Sequence, residues 1–209
     1  MTLISGELYP LFSSLLFTIN LEENLDDFYD KFKNEYDFIE TTSDRTSQTT
    51  SKNILYDNLE LKEIILNYFN LYKDNILKYE STDFEITTSW VTKTLEGGRS
   101  NVHNHKNCCF SGILYFDTIE NGGELRFADT GLIPSSFLLN NPSEFNIYNS
   151  QSWKISPQKN MIVFFPSYLY HQIETHNSNI IRYSLAFNIV PVNTFGNHDS
   201  SVNLKVFPL

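Results

Sequence analysis

Between residues 84 and 190 the hydrophobic pattern of the chain has a period of two. Phe84, Ile86, Thr88 and Trp90 alternate with Glu85, Thr87 and Ser89, and runs rich in β-branched and aromatic residues follow at 108–116, 123–128, 152–156, 161–165, 170–174 and 180–190. Such a period puts alternate side chains on opposite faces of a pleated strand, so this half of the chain is committed to sheet. Gly97-Gly98, Asn121-Gly122-Gly123, Asn140-Asn141-Pro142, Pro157 and Pro166 separate the runs with residues suited to turns.

The segment before residue 83 follows another rule. Leu15-Leu16-Phe17-Thr18-Ile19 reads as a short strand or extended entry. Leu21, Leu25, Phe28 and Phe32 recur at helical spacing behind Glu22, Glu23, Asp26 and Asp27, predicting a helix over 21–38. Residues 41–52 hold no apolar side chain and are expected to form a loop able to help close a site. Leu61, Ile64, Ile65, Tyr68, Phe69, Tyr72, Ile76 and Leu77 sustain one apolar face, predicting a second helix over 59–79. Helices followed by seven or eight strands specify a mainly β fold: a double-stranded β-helix (jelly-roll, cupin-like) barrel with the N-terminal helices on one outer face. One domain over 1–209 is expected, with an N-terminal strand and helical layer at 1–82, a jelly-roll core at 83–192 and a tail at 193–209.

Composition narrows the function classes. Fifteen Lys and Arg against twenty-five Asp and Glu give a formal charge of −10, which repels a phosphate backbone, so no nucleic-acid partner is expected. No apolar run approaches the ~20 residues that span a bilayer, so no membrane role is expected either. Cys108 and Cys109, the only cysteines, point apart on a strand and cannot form an ordinary disulfide, which suits a reducing cytoplasm.

The chemistry lies in five residues. In His103-Asn104-His105 the two imidazoles share a side if the segment is extended, so both can reach one metal; the plainer reading is a pair of exposed loop histidines. His171, after Met161-Ile162-Val163-Phe164-Phe165-Pro166, is placed to join them from a distant strand. Such a facial trio leaves open the metal positions that non-haem Fe(II) oxygenases require. In the run from Arg182 to Ile189, Tyr183, Leu185, Phe187 and Ile189 form one apolar face, so Arg182, Ser184, Ala186 and Asn188 point into the barrel. A buried arginine needs an anion: either a dicarboxylate co-substrate, to which the Ser184 hydroxyl adds a hydrogen bond, or an internal Asp or Glu. Tyr115 is either a further hydrogen bond to that co-substrate or a core tyrosine. Trp90 and Trp153 suit a substrate cleft or core packing. His176 and His198 sit in polar, turn-like contexts and receive no role.

In this order, Ser89-Trp90-Val91, His103-Asn104-His105-Lys106-Asn107, Ser111-Gly112-Ile113-Leu114-Tyr115-Phe116, Phe164-Phe165-Pro166-Ser167, His171 and Arg182-Tyr183-Ser184-Leu185-Ala186-Phe187-Asn188 resemble the conserved blocks of a small family of 2OG-Fe(II) oxygenases from bacteria and their viruses. The match covers roughly 84–190, and Tyr9-Pro10-Leu11-Phe12 is similar as well. The resemblance implies a dioxygenase that uses Fe(2+) and 2-oxoglutarate, with no catalytic group beyond the metal ligands. His103, His105 and His171 would bind the metal, while Arg182, Ser184 and Tyr115 would hold the co-substrate. With O2, a C–H bond of the prime substrate would be hydroxylated, releasing succinate and CO2.

His105 stands where the wider superfamily has Asp or Glu, and Glu124 or Asp129 remains open as an alternative third ligand. Lys106 replaces a usual proline and is expected to affect only the turn. The second arginine expected of nucleic-acid demethylases is Asn188 here. Trp90, Asn107, Tyr168 and Tyr170 offer aromatic and amide groups at the mouth, which favours a peptide, an amino-acid-like substrate or another small molecule. The location implied is cytoplasmic, in the host if the chain is viral, and a homodimer is compatible. Two rivals stand beside this reading: a non-catalytic jelly-roll binding or virion protein, and a three-histidine cupin-type metalloenzyme that does not use 2-oxoglutarate.

Overall fold

The computed structural model describes residues 13–128 and 142–208, so Tyr9-Pro10-Leu11-Phe12, Asp129 and the Asn140-Asn141 pair lie outside the described residues. In chain order come β1 (Phe17–Asn20), α1 (Asp26–Asn34), β2 (Phe38–Glu40), β3 (Thr46–Thr49) and α2 (Leu59–Leu71), which runs into a π-helical turn (Tyr72–Leu77). Then follow β4 (Asp83–Thr94), β5 (Phe110–Tyr115), β6 (Leu125–Ala128), β7 (Ser152–Ile155), β8 (Met161–Pro166), β9 (His171–Ile173), β10 (Arg182–Phe195) and β11 (Val202–Leu204). The major sheet has the order β1-β8-β5-β10-β4-β3-β2, with β11 also paired to β10, and the minor sheet the order β7-β6-β9. Every pair of these strands is antiparallel. The two sheets remain separate, giving an open double-stranded β-helix rather than a closed barrel.

Two apolar layers follow from the strand periodicity. Leu114 of β5 and the adjoining Phe116, Ile162 and Phe164 of β8, and Leu185, Phe187 and Ile189 of β10 pack against Phe32 of α1 and Leu61, Ile65 and Phe69 of α2. The opposite residues, Ile113 and Tyr115 of β5 and Met161, Val163 and Phe165 of β8, meet Leu125 and Phe127 of β6 between the sheets. Helices therefore cover one face of the major sheet, as expected, and the other face turns toward the minor sheet. Gly112 permits the helical-side packing, since a Cβ there would lie 2.2 Å from the Phe187 ring.

Two expectations need correction. The helix predicted over 21–38 spans only Asp26–Asn34: the Asn24 side chain accepts a hydrogen bond from the Asp26 backbone N–H at 2.9 Å as the helix begins, and residues 38–40 leave it to become an edge strand. The segment 41–52 is not a loop throughout. Its centre is β3, inserted between β2 and β4, with Thr46 and Thr49 buried. The Thr49 hydroxyl accepts from the Val91 backbone N–H at 3.1 Å and donates to the Ser51 carbonyl at 2.9 Å, so a strand without one apolar residue is still satisfied in the interior. The second helix, predicted over 59–79, is α-helical over Leu59–Leu71 and widens to a π turn over Tyr72–Leu77, where Ile76 of the predicted apolar face is exposed. No described helix is long and apolar enough to cross a membrane.

Candidate metal centre and its cleft

The backbone brings the three histidines together before their side chains do so. His103 and His171 exchange both backbone hydrogen bonds, at 3.0 and 2.8 Å, and the His105 N–H donates to the Ser167 carbonyl at 3.0 Å. The 103–105 segment thus lies along the entry to β9, and the i, i+2 spacing turns both of its rings toward His171. The potential ligand atoms of the three rings all lie within 4.8 Å of one another. His103 is exposed, His105 half-buried and His171 buried.

Each ring is oriented by an acceptor on Nδ1. Asn101 O lies 2.8 Å from Nδ1 of His103, Leu169 O 3.0 Å from that of His171, and the Asn188 side-chain oxygen 2.7 Å from that of His105. A ring that donates through Nδ1 keeps its lone pair on Nε2, which is the state a metal requires. Burial, reinforced by the neighbouring imidazoles, pushes His171 down to about 3. Burial also lowers the His105 pKa, against the opposing hydrogen bond to Asn188. Both rings are therefore neutral donors at neutral pH, and the set fits a borderline divalent ion such as Fe(II).

The same cleft, about 340 Å³ in volume, contains Arg182 and Ser184. Arg182 is buried, yet no carboxylate forms an ion pair with it among the described residues. Its Nη1 donates to the Gly122 carbonyl and, at 3.2 Å, to that of Gly123, and its Nη2 donates to the Thr94 hydroxyl at 3.2 Å. All of these partners are uncharged. Nε has none. Three of five N–H groups are thus used, leaving Nε–H and one Nη2–H as a side-on fork of the kind that takes a carboxylate. Tyr115, opposite Ser184 in the β5–β10 register, is fully buried with its hydroxyl unpartnered, and burial pushes its pKa up to about 12. Gly123 can make the supporting turn because its φ is +78° and a Cβ would lie 2.3 Å from the Glu174 carbonyl.

Of the residues expected to meet substrate, Trp90 lines the cleft and stacks on His105, with ring centroids 5.8 Å apart and planes 19° from parallel. Asn107 and Tyr170 are not among the lining residues. Tyr168 is exposed, its hydroxyl 2.9 Å from that of Ser14. Thr41, Thr42, Ser43, Thr46 and Gln48, from the polar segment expected to help close a site, line its rim, together with Thr92, Ser100 and Asn101, which sequence reasoning missed. Lys106 is exposed beside the ligands. Glu124 is engaged elsewhere, accepting from the Ser156 hydroxyl at 2.7 Å and facing the Lys154 ammonium at 3.5 Å. His176, given no role, is completely buried, with Nδ1 2.9 Å from the Gly122 carbonyl that also receives Arg182, and Nε2 2.6 Å from Ile180 O.

Residues 88–188 match the model of a family described as "Putative 2OG-Fe(II) oxygenase". Among solved structures, HygX from Streptomyces hygroscopicus with nickel, 2-oxoglutarate and hygromycin B bound is similar over 84% of this chain and 82% of its own, with a TM-score of 0.60 and 12% identity. A prolyl hydroxylase from Trichoplax adhaerens, in complex with a hypoxia-inducible-factor peptide fragment, is similar over 84% and 83%, with a TM-score of 0.56 and 12% identity. The epimerase SnoN from nogalamycin biosynthesis aligns over 86% and 80%, with a TM-score of 0.57 and 9% identity. No match was found among curated proteins.

Proposed function

Because residues 88–188 form a 2OG-Fe(II) oxygenase domain, we propose that this protein hydroxylates a C–H bond of a peptide or amino-acid-like substrate, using Fe(II) held by His103, His105 and His171. The observation that carries the reading is one cleft holding three convergent imidazoles and a buried arginine that pairs with no carboxylate among the described residues. We take 1–209 as a single functional unit, since β1, β2 and β3 hydrogen-bond into the same sheet as the core strands.

When bound, Fe(II) and 2-oxoglutarate supply oxidation of a C–H bond by O2, with release of succinate and CO2. The chain's own residues supply binding and orientation. The Arg182 fork holds the far carboxylate of the co-substrate, and Thr94 with the Gly122 and Gly123 carbonyls keeps the guanidinium from turning away. The Tyr115 and Ser184 hydroxyls, on paired strands, donate to the same carboxylate. Ile113, Ile173 and Ala186 form the apolar part of the wall and keep water from the space between clamp and ligands. Trp90 with the hydroxyl and amide rim meets a neutral, hydrogen-bonding substrate surface, such as a peptide backbone offers.

Anaerobic addition of Fe(II) and then 2-oxoglutarate tests the reading. A visible metal-to-ligand charge-transfer band is expected, because a keto acid that chelates the iron gives one. Bound iron without that band would favour a three-histidine metalloenzyme that does not use 2-oxoglutarate. Mass spectrometry of cell extract treated with enzyme, iron, ascorbate and 2-oxoglutarate should show +16 Da products among peptides or amino acids; such products confined to nucleotides or lipids would overturn the substrate class.

A further inference from the structure

We propose that Asn188 is the positioning residue that makes His105 a metal ligand, by holding its ring in the tautomer with the proton on Nδ1. The inference rests on the metal-site reading above and adds the device that lets a histidine serve at this position. A carboxylate offers an anionic oxygen whichever way it turns, whereas a neutral imidazole offers a lone pair on one nitrogen only. His103 and His171 present Nδ1 to backbone carbonyls, which can only accept, so their tautomers follow from the chain path. His105 alone depends on a side-chain amide, which could present either an oxygen or an NH2 group.

The contacts of Asn188 are compatible with its oxygen facing His105. Its Nδ2 donates to the Thr88 hydroxyl at 2.9 Å. Its Oδ1 accepts from the His105 ring at 2.7 Å and from the Ser111 hydroxyl at 2.9 Å, and Ser111 lies 2.9 Å from the Ser167 hydroxyl. Ser111 and Ser167 are buried, so this chain of hydroxyls runs from Ser167 through Ser111 to Oδ1 without help from solvent. Asn188 is also the last residue before the register shift between β10 and β4, a bulge that re-aims the strand at this point. Trp90 stacks on the His105 ring, so its plane as well as its tautomer is fixed.

Ring 15N NMR of the metal-free protein reads the tautomer directly, and Co(II) titration reads its consequence. In the wild type and in Asn188→Asp, which keeps an acceptor facing His105, the proton is expected on Nδ1, and Asn188→Asp should bind Co(II) at least as tightly as the wild type. In Asn188→Leu the proton should move toward Nε2 and Co(II) affinity should fall about 10- to 100-fold, the usual cost of losing a partner behind a ligand. A purely structural role would lower the melting temperature of Asn188→Leu while leaving both readouts unchanged, and that result overturns the inference alone. An Nε2–H tautomer in the wild type or in Asn188→Asp also overturns it, even if Asn188→Leu does not fold. Absence of Co(II) binding by the wild type removes the metal-site reading and this inference together.

Discussion

The Nε of Arg182 and the hydroxyl of Tyr115 are buried near enough to act on each other electrostatically, and neither has a hydrogen-bond partner. A polar atom left so costs about 1–3 kcal/mol, and here two of them occur together, with Tyr115 part of the apolar layer between the sheets. One carboxylate can satisfy both, since it accepts from each. On the proposed function, this apparent defect in the packing is the place that the far carboxylate of the co-substrate would fill, although Tyr115 itself is not among the residues lining the cleft.

Tyr115→Phe should separate binding from folding. Removing an unsatisfied hydroxyl is expected to leave the melting temperature unchanged or higher, while 2-oxoglutarate affinity of the metal-loaded protein falls by about 1 kcal/mol. Calorimetric titration beside thermal unfolding measures both. Reduced stability with unchanged affinity would make Tyr115 an ordinary core residue.

Arg182→Ala should weaken 2-oxoglutarate binding by about 2–5 kcal/mol, because the carboxylate loses the charged partner of a buried pair. Metal affinity should stay near that of the wild type, since Arg182 makes no hydrogen bond to any of the three histidines. Equal loss of metal and co-substrate would show that the guanidinium supports the fold.

Metal content after desalting tests the ligand set. His103→Ala, His105→Ala and His171→Ala should each lose the ion. Glu124→Ala should retain it, because that carboxylate is committed to Ser156 and Lys154. If His105→Ala keeps its metal while Asp129→Ala does not, the third ligand has been misassigned.

Alkaline pH should destabilise the protein in a defined window. Burial pushes the phenols of Tyr72 and Tyr115 up to about 12, against an ordinary value near 10. Between those values the folded chain holds protons that the unfolded chain has released, so this contribution is complete below pH ~10 and is lost toward pH ~12. Each tyrosine can add about 1.4 kcal/mol per pH unit to the loss. Urea unfolding at stepped pH measures the slope, which Tyr115→Phe should reduce; identical slopes in wild type and variant would contradict the assignment.

Much of this was legible in the sequence because burial on both faces of a sheet leaves a strong mark. β4 and β10 announce themselves by alternation and β5 and β8 by apolar runs buried on both faces, and Arg182 stands out as a charge on a face that has to be interior. The spacing of His103 and His105 allowed a shared metal but left the plainer reading of two loop histidines open until His171 and Arg182 were set beside it. β3 was not, because its side chains face a polar cleft and its ladder is backbone, so nothing in Thr46-Ser47-Gln48-Thr49 looks like a strand. His176 was misread for a related reason: the carbonyls that satisfy it, Gly122 and Ile180, come from separate turns and leave no local pattern. The rotation of Asn188 toward His105 depends on Thr88 and Ser111, each far away in sequence.

β10 divides two kinds of selection residue by residue. Leu185, Phe187 and Ile189 are packed under the helices, while Arg182, Ser184 and Ala186 line the cleft and Asn188 supports a ligand. A mutational scan that scored cellular abundance and turnover separately would therefore show two combs along this strand, offset by one position. Odd-numbered substitutions would deplete the protein, and even-numbered ones would silence it at normal abundance. Drift in the helical layer can then be absorbed on one side of the strand without reaching the substrate, so relatives can diverge widely in α1 and α2 and still keep the same chemistry.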